Sequence, residues 1–247
     1  MLKDHPYLYP YSKDDAKRSN ELDRWQDSFR NNVACSRAIE EAIRQNFDRD
    51  TDSIREGCAG KVLEQYGFKR VNFVLAHTLK QRDIGMYVDA DSLFWAARTS
   101  VPRDSEYGRY YAVDTAVPLL NTFIHQVRDA YQSLDLFGWQ HCMADSREQD
   151  YAGKVLVLST DTLREGCWSQ RNQLWLAHDG FGCGPNARGR SIRATCLGDG
   201  EMTRWNRSDF TGILDEQYLP DWAQEKLEEL RASSPERNSG PTMGEMA

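Results

Sequence analysis

The chain has 247 residues, 40% of them hydrophobic and 28% charged, with a formal net charge of -7. That length allows one or two domains with an ample core, and the acidic balance excludes a generally basic nucleic-acid binder while leaving room for a local basic patch. The opening MLKDHPYLYPYSKDD lacks an apolar run of signal-peptide length, and no segment approaches a membrane span, so a cytoplasmic protein without membrane contact is expected.

Residues 1–12 read as extended, and Asp14 to Phe29 as polar helix with Leu22, Trp25 and Phe29 on one stripe. Cys35, Ala38, Ile39, Ala42 and Ile43 follow the i, i+3, i+4, i+7, i+8 spacing of a buried helix face. A second helix carries Ile54, Cys58, Val62, Leu63 and Tyr66, with Gly67 as its C′ stop. A third carries Val71, Val74, Leu75 and Leu79, and a short one spans Ser92 to Arg98. Arg103 to Tyr111 reads as a surface loop. From Thr115 to Leu136 the seam Val117, Leu120, Ile124, Val127, Tyr131 and Leu134 marks a longer helix, with Pro118 in its first turn. These segments form a helical bundle over residues 1–137, followed by an aperiodic linker at 138–151.

The grammar then changes to short strands at Lys154–Leu158 and Gln173–Ala177. After the glycine-rich run 180–190, Ser191–Leu197 and Met202–Arg207 alternate around Gly198-Asp199-Gly200-Glu201. An Asp-Gly pair suits a two-residue type I′ turn, so this reads as a hairpin pairing Thr195 with Arg204 and Arg193 with Asn206. Ile192, Ala194, Cys196 and Trp205 are then predicted to face the core, and Arg193, Thr195, Arg204 and Asn206 to face outward. A terminal helix opening at Leu219-Pro220-Asp221-Trp222 should dock through Trp222, Lys226, Leu227 and Leu230. The fold class is α+β: a helical bundle, then a small antiparallel β-barrel or curled sheet with its terminal helix over 152–231. Residues 232–247 lack anything to bury and read as a disordered tail.

Usual catalytic signatures are missing. The nearest nucleophile constellation is Cys183 with His178 and Asp179. Local proximity is not how triads usually form, so a space-filling Cys in a tight loop is the favoured reading. The six cysteines include no CxxC pair, and His141 with Cys142, or Cys167, His178 and Cys183, lack standard zinc spacing. No metal and no cofactor is expected. His77 and His125 sit beside apolar stripes as core flanks. The arginines at 188, 190, 193, 204 and 207 differ, because with Asn206 they concentrate positive charge on one module of an acidic chain. They suit phosphate or an acidic protein surface, unless Asp199, Glu201 or Asp209 pairs with them.

Several stretches carry a resemblance: Tyr7-Leu8-Tyr9, Asn20-Glu21-Leu22, Asn32-Val33-Ala34-Cys35 and Arg70-Val71-Asn72-Phe73-Val74-Leu75-Ala76. Over about residues 5–135 the chain resembles an uncharacterised helical domain family of Gram-positive gut bacteria and their conjugative elements and prophages. Gly180-Phe181-Gly182-Cys183 and Thr203-Arg204-Trp205-Asn206-Arg207 resemble a module of similar mobile-element proteins. The resemblance implies a genomic setting and no catalytic residue. The clustering of Arg193, Arg204 and Asn206 and the missing catalytic motifs point to a non-enzymatic binding or accessory protein, and the genomic setting implied by the resemblance gives counter-defence against a restriction or CRISPR nuclease as its best-specified role. The alternatives are a small cysteine-dependent hydrolase or transferase, and a DNA-associated transfer accessory.

Overall fold

The structure, a computed structural model, describes residues 5–81, 88–102, 109–146, 149–180 and 191–233. The chain divides into two compact units. One holds the residues up to Asp135 together with Glu165–Cys167, and the other holds Leu136–Arg164 and the residues from Trp168 onward.

In the helical unit, Ser12 and Asp15 form a reciprocal capping box that starts α1 (Lys13–Arg18). Asn20 takes a left-handed φ of 57°, and α2 (Leu22–Asn46) then runs unbroken. Its buried stripe includes Cys35, Ile39 and Ile43, as the spacing predicted. Ile54 does not begin the next helix. Strand β1 (Phe47–Asp48) pairs with β2 (Ser53–Ile54), setting Ile54 opposite Phe47. Helix α3 (Gly60–Gln81) breaks at Gly67, where φ is 77° and ψ 162°. An L side chain is strained there, and a Cβ would also press on the Glu165 carboxylate. That carboxylate accepts the amide of Lys69 and stands 3.2 Å from His5 Nδ1, so a residue distant in sequence caps the restarted helix.

Asp89 caps α4 (Ala90–Arg98) by accepting the Ser92 amide at 2.8 Å, and α5 (Val117–Gln132) completes the bundle. Val71, Val74, Leu75, Leu120, Phe123 and Ile124 are fully buried in one core with the α2 stripe. Tyr111, expected at the surface, is buried there with Val113, whose amide donates to Thr78 Oγ1 at 3.0 Å. A polar composition around it hid one aromatic anchor.

The second unit is a five-stranded antiparallel sheet: β3 (Val155–Leu158), β4 (Leu174–Ala177), β5 (Ser191–Cys196), β6 (Met202–Asn206) and β7 (Phe210–Ile213), in the order β6-β5-β4-β3-β7. Its two edge strands are consecutive in the chain, joined only by Arg207–Asp209. Four residue steps reach about 14 Å, whereas four inter-strand spacings of a flat sheet need about 19 Å. The sheet must therefore curl. Among the described residues its edges are not hydrogen-bonded to each other, so of the two expected forms, barrel or curled sheet, no closed barrel is formed. Helix α7 (Asp221–Ser233) packs Ala223 and Leu227 on Val157, Leu174, Leu176 and Leu197, extending through residues 232 and 233 of the expected tail. The rest of that tail lies outside the described residues.

Residues 138–146 are built into this unit. Cys142 bridges to Leu214, the Met143 amide donates to Ile213 O at 2.9 Å, and the Asp215 amide donates to His141 O at 3.0 Å. This segment pairs with the end of β7 and the residues just after it. Short helix α6 (Gln170–Gln173) ends in the fully buried Gln173, whose amide group exchanges hydrogen bonds of 2.8 and 2.9 Å with the backbone of Phe137.

Candidate binding edge of the sheet unit

The β5–β6 hairpin is paired two residues out of the predicted register, with Arg193 opposite Arg204, Ile192 opposite Trp205 and Thr195 opposite Met202. A shift of two residues preserves the faces, so Ile192, Ala194 and Cys196 are buried as predicted. The turn is longer than the predicted type I′ turn. Cys196 donates to Glu201 O at 2.8 Å and accepts the Gly200 amide at 3.0 Å, closing a four-residue loop. Gly200 has φ 80°, while Asp199 does not take the positive φ that a type I′ turn demands of both central residues. Gly198 serves a close approach instead, since a Cβ there would lie 2.5 Å from Arg171 O.

One face of β5 and β6 carries the candidate site. Arg193, Arg204 and Asn206 are exposed. Arg193 and Arg204 sit directly opposite each other in a non-hydrogen-bonded pair, the arrangement that brings side chains closest. Among the described residues neither guanidinium joins a carboxylate in an ion pair. Asp199, Glu201 and Asp209, weighed as neutralising partners, leave both alone. Asp199 accepts the Glu201 amide, and Asp209 accepts the Asn206 amide at 2.7 Å. Arg204 Nη1 reaches Ser191 Oγ at 3.4 Å.

Other predicted site residues are placed differently. Arg207 is turned inward: its guanidinium lies 3.7 Å from the centre of the Tyr151 ring and donates to Gln149 O at 2.8 Å and Ser146 O at 3.3 Å. It clamps the chain between the sheet's edges and is not part of the exposed patch. Thr195, predicted outward, is 3% exposed because it shares its face with the apolar cluster around Leu176. Trp205 is half-buried. Its ring meets Trp175 edge-to-face at 5.3 Å, and its buried indole N–H finds no acceptor among the described residues. Arg188, Arg190 and Cys183 lie outside the described residues.

His178 Nε2 and the Thr195 hydroxyl share a 2.6 Å hydrogen bond, and Asp179 Oδ1 accepts the Arg193 amide at 2.9 Å. Partial burial lowers the His178 pKa, the Arg193 guanidinium lowers it further, and Asp179 opposes both. His178 and Asp179 thus each hold the β4–β5 pair in register, with no hydrogen bond between them among the described residues. Burial pushes the thiols of Cys58 and Cys142 up to about 11 and that of Cys35 to about 12, away from reactive thiolate. Among the described residues no group of three or more His, Cys, Asp and Glu side chains converges as a metal site, and no helix is long and apolar enough to cross a membrane.

In class, the chain is a two-unit α+β protein, helices first and an antiparallel sheet after. In family, residues 8–132 match the model described as a protein of unknown function, DUF3849, and the chain belongs to that family. The match falls inside the helical unit, close to the limits expected from the resemblance, and the arginine edge lies beyond it. Comparison with curated proteins returns no match, and comparison with solved structures returns none.

Proposed function

We propose that the chain is a binding protein whose sheet unit engages an acidic protein partner through Arg193 and Arg204. The observation that carries this reading is their cross-strand opposition, both exposed and without an ion-paired carboxylate among the described residues. Like charges directly opposite weaken a hairpin by up to about 1 kcal/mol. Negative charge on a partner offsets that cost. The net charge of -7 favours a compact acidic patch over a long polyphosphate, which the rest of the chain repels.

The resemblance to proteins of conjugative elements and prophages selects the first partners to try, namely host restriction and CRISPR nucleases. An inhibitory, counter-defence role is the finer form of the proposal and rests on that setting.

The test compares wild type with Arg193→Ala/Arg204→Ala against those purified nucleases, with circular dichroism confirming the fold. Binding that weakens with salt and is lost in the double variant is expected. Equal retention by both proteins contradicts the arginine edge, and tighter binding to free oligonucleotide contradicts the protein partner.

A further inference from the structure

We infer that the outer side of β6 is a strand-addition site for an extended acidic protein segment. This rests on the arginine-edge reading and names the mode of binding. The Cys196–Glu201 hydrogen bond fixes the alternation of the ladder. Thr203 and Trp205 direct their backbone groups toward β5, and Met202 and Arg204 direct theirs outward. Among the described residues nothing bonds to the outward amides and carbonyls of Met202 and Arg204. The Asn206 amide at the strand's end is closed off by Asp209 Oδ2. The opposite edge is treated differently at its end, for residues 141–143 bond to Ile213, the last residue of β7, and to Asp215 beyond it. Among the described residues the fold pairs the end of β7 and leaves the outer side of β6 open.

An added strand supplies both the donors and the acceptors this edge lacks. A phosphate backbone offers acceptors alone and leaves the two carbonyls unpaired. On the guanidinium face, an Asp or Glu beside Arg204 meets that cation directly and lies two strand spacings, about 10 Å, from Arg193, so the second cation adds its field across the intervening strand. Two residues along, the added strand meets Met202, which is 55% exposed and calls for an apolar side chain. The preferred occupant is therefore a short extended segment with an acidic residue and an apolar residue two positions apart. A second copy of this chain is disfavoured, because its own edge brings arginine toward arginine.

The test uses the full chain, isotopically labelled, and a peptide of about six residues, a usual strand length, in which one Glu and one Val stand two positions apart among Thr residues. Controls are the peptide N-methylated at alternate amides, the peptide with Lys for Glu, and a single-stranded oligonucleotide as phosphate source. Saturable binding below about 1 mM is expected, with at least tenfold slower hydrogen exchange at the Met202 and Arg204 amides. Arg193→Ala/Arg204→Ala should weaken it at least tenfold, and N-methylation on one set of alternate amides should abolish it. Binding that ignores N-methylation and leaves both amides unprotected overturns strand addition while the arginine edge stands. Binding indifferent to the arginines, or to Lys in place of Glu, overturns both. So does tighter binding of the oligonucleotide. No saturation in that range overturns strand addition. Self-association of the double variant with unchanged peptide affinity would show that the arginines merely guard an edge.

Discussion

Arginine is handled in opposite ways by the two units. In the helical unit Arg70 is 1% exposed, and its guanidinium donates to the carbonyls of Ser28 at 3.0 Å, Tyr7 at 2.8 Å and Pro6 at 3.1 Å, and to Asn32 Oδ1. Burial lowers its pKa, and oxygens drawn from the N-terminal segment and α2 hold the cation. In the sheet unit Arg193 and Arg204 are exposed and opposed. The difference teaches where to look for function: a cation enclosed by its own backbone serves the fold, and two cations set against each other at an open edge do not.

The largest expected effect breaks the enclosed side of this contrast. Arg70→Met leaves buried carbonyls without donors and should cost the helical unit about 3–5 kcal/mol in denaturant unfolding. Arg70→Lys should recover part of that, since one ammonium cannot span the cage. An unchanged midpoint would show that the cage is incidental.

His77 comes next. It is buried against Tyr111, and desolvation, with Lys80 adding to it, depresses its pKa to about 4. The folded state holds it neutral, so its contribution is intact above the unfolded value near 6.5 and is lost as pH falls toward 4. The stability difference between wild type and His77→Leu should shrink by on the order of 3 kcal/mol across that window. A difference independent of pH contradicts this.

Gly67→Ala should cost the helical unit about 2 kcal/mol, through the positive φ and the press on Glu165. Pairing it with Glu165→Ala should return the share due to that carboxylate and leave the backbone share and the contact with the His5 ring. Full rescue would mean that the φ is not strained.

At the small end, Arg204→Glu turns a like-charge pair into an opposite-charge pair and should raise the sheet unit's stability by about 0.5 kcal/mol. Thermal unfolding read from Trp175 and Trp205 fluorescence checks the sign.

Sequence patterns revealed what depends on periodicity. The helix stripes and the buried face of β5 follow from spacing, the stop at Gly67 from glycine's tolerance of positive φ, and a two-residue register error leaves the β5 face intact. What depends on distant partners stayed hidden. Tyr111 sits in a polar stretch and only the fold brings it to His77. Arg70 is caged by carbonyls, which carry no side-chain signature. Arg207 looked like its neighbours, and only the curl of the sheet sets it over Tyr151. Gly198 suggested a tight turn and instead admits the Arg171 backbone.

The most direct test measures stability and binding together on Arg204→Glu. The account predicts a sheet unit at least as stable as wild type that no longer holds the acidic peptide. A less stable protein that binds the peptide as wild type does would show that Arg204 serves the fold and not a partner.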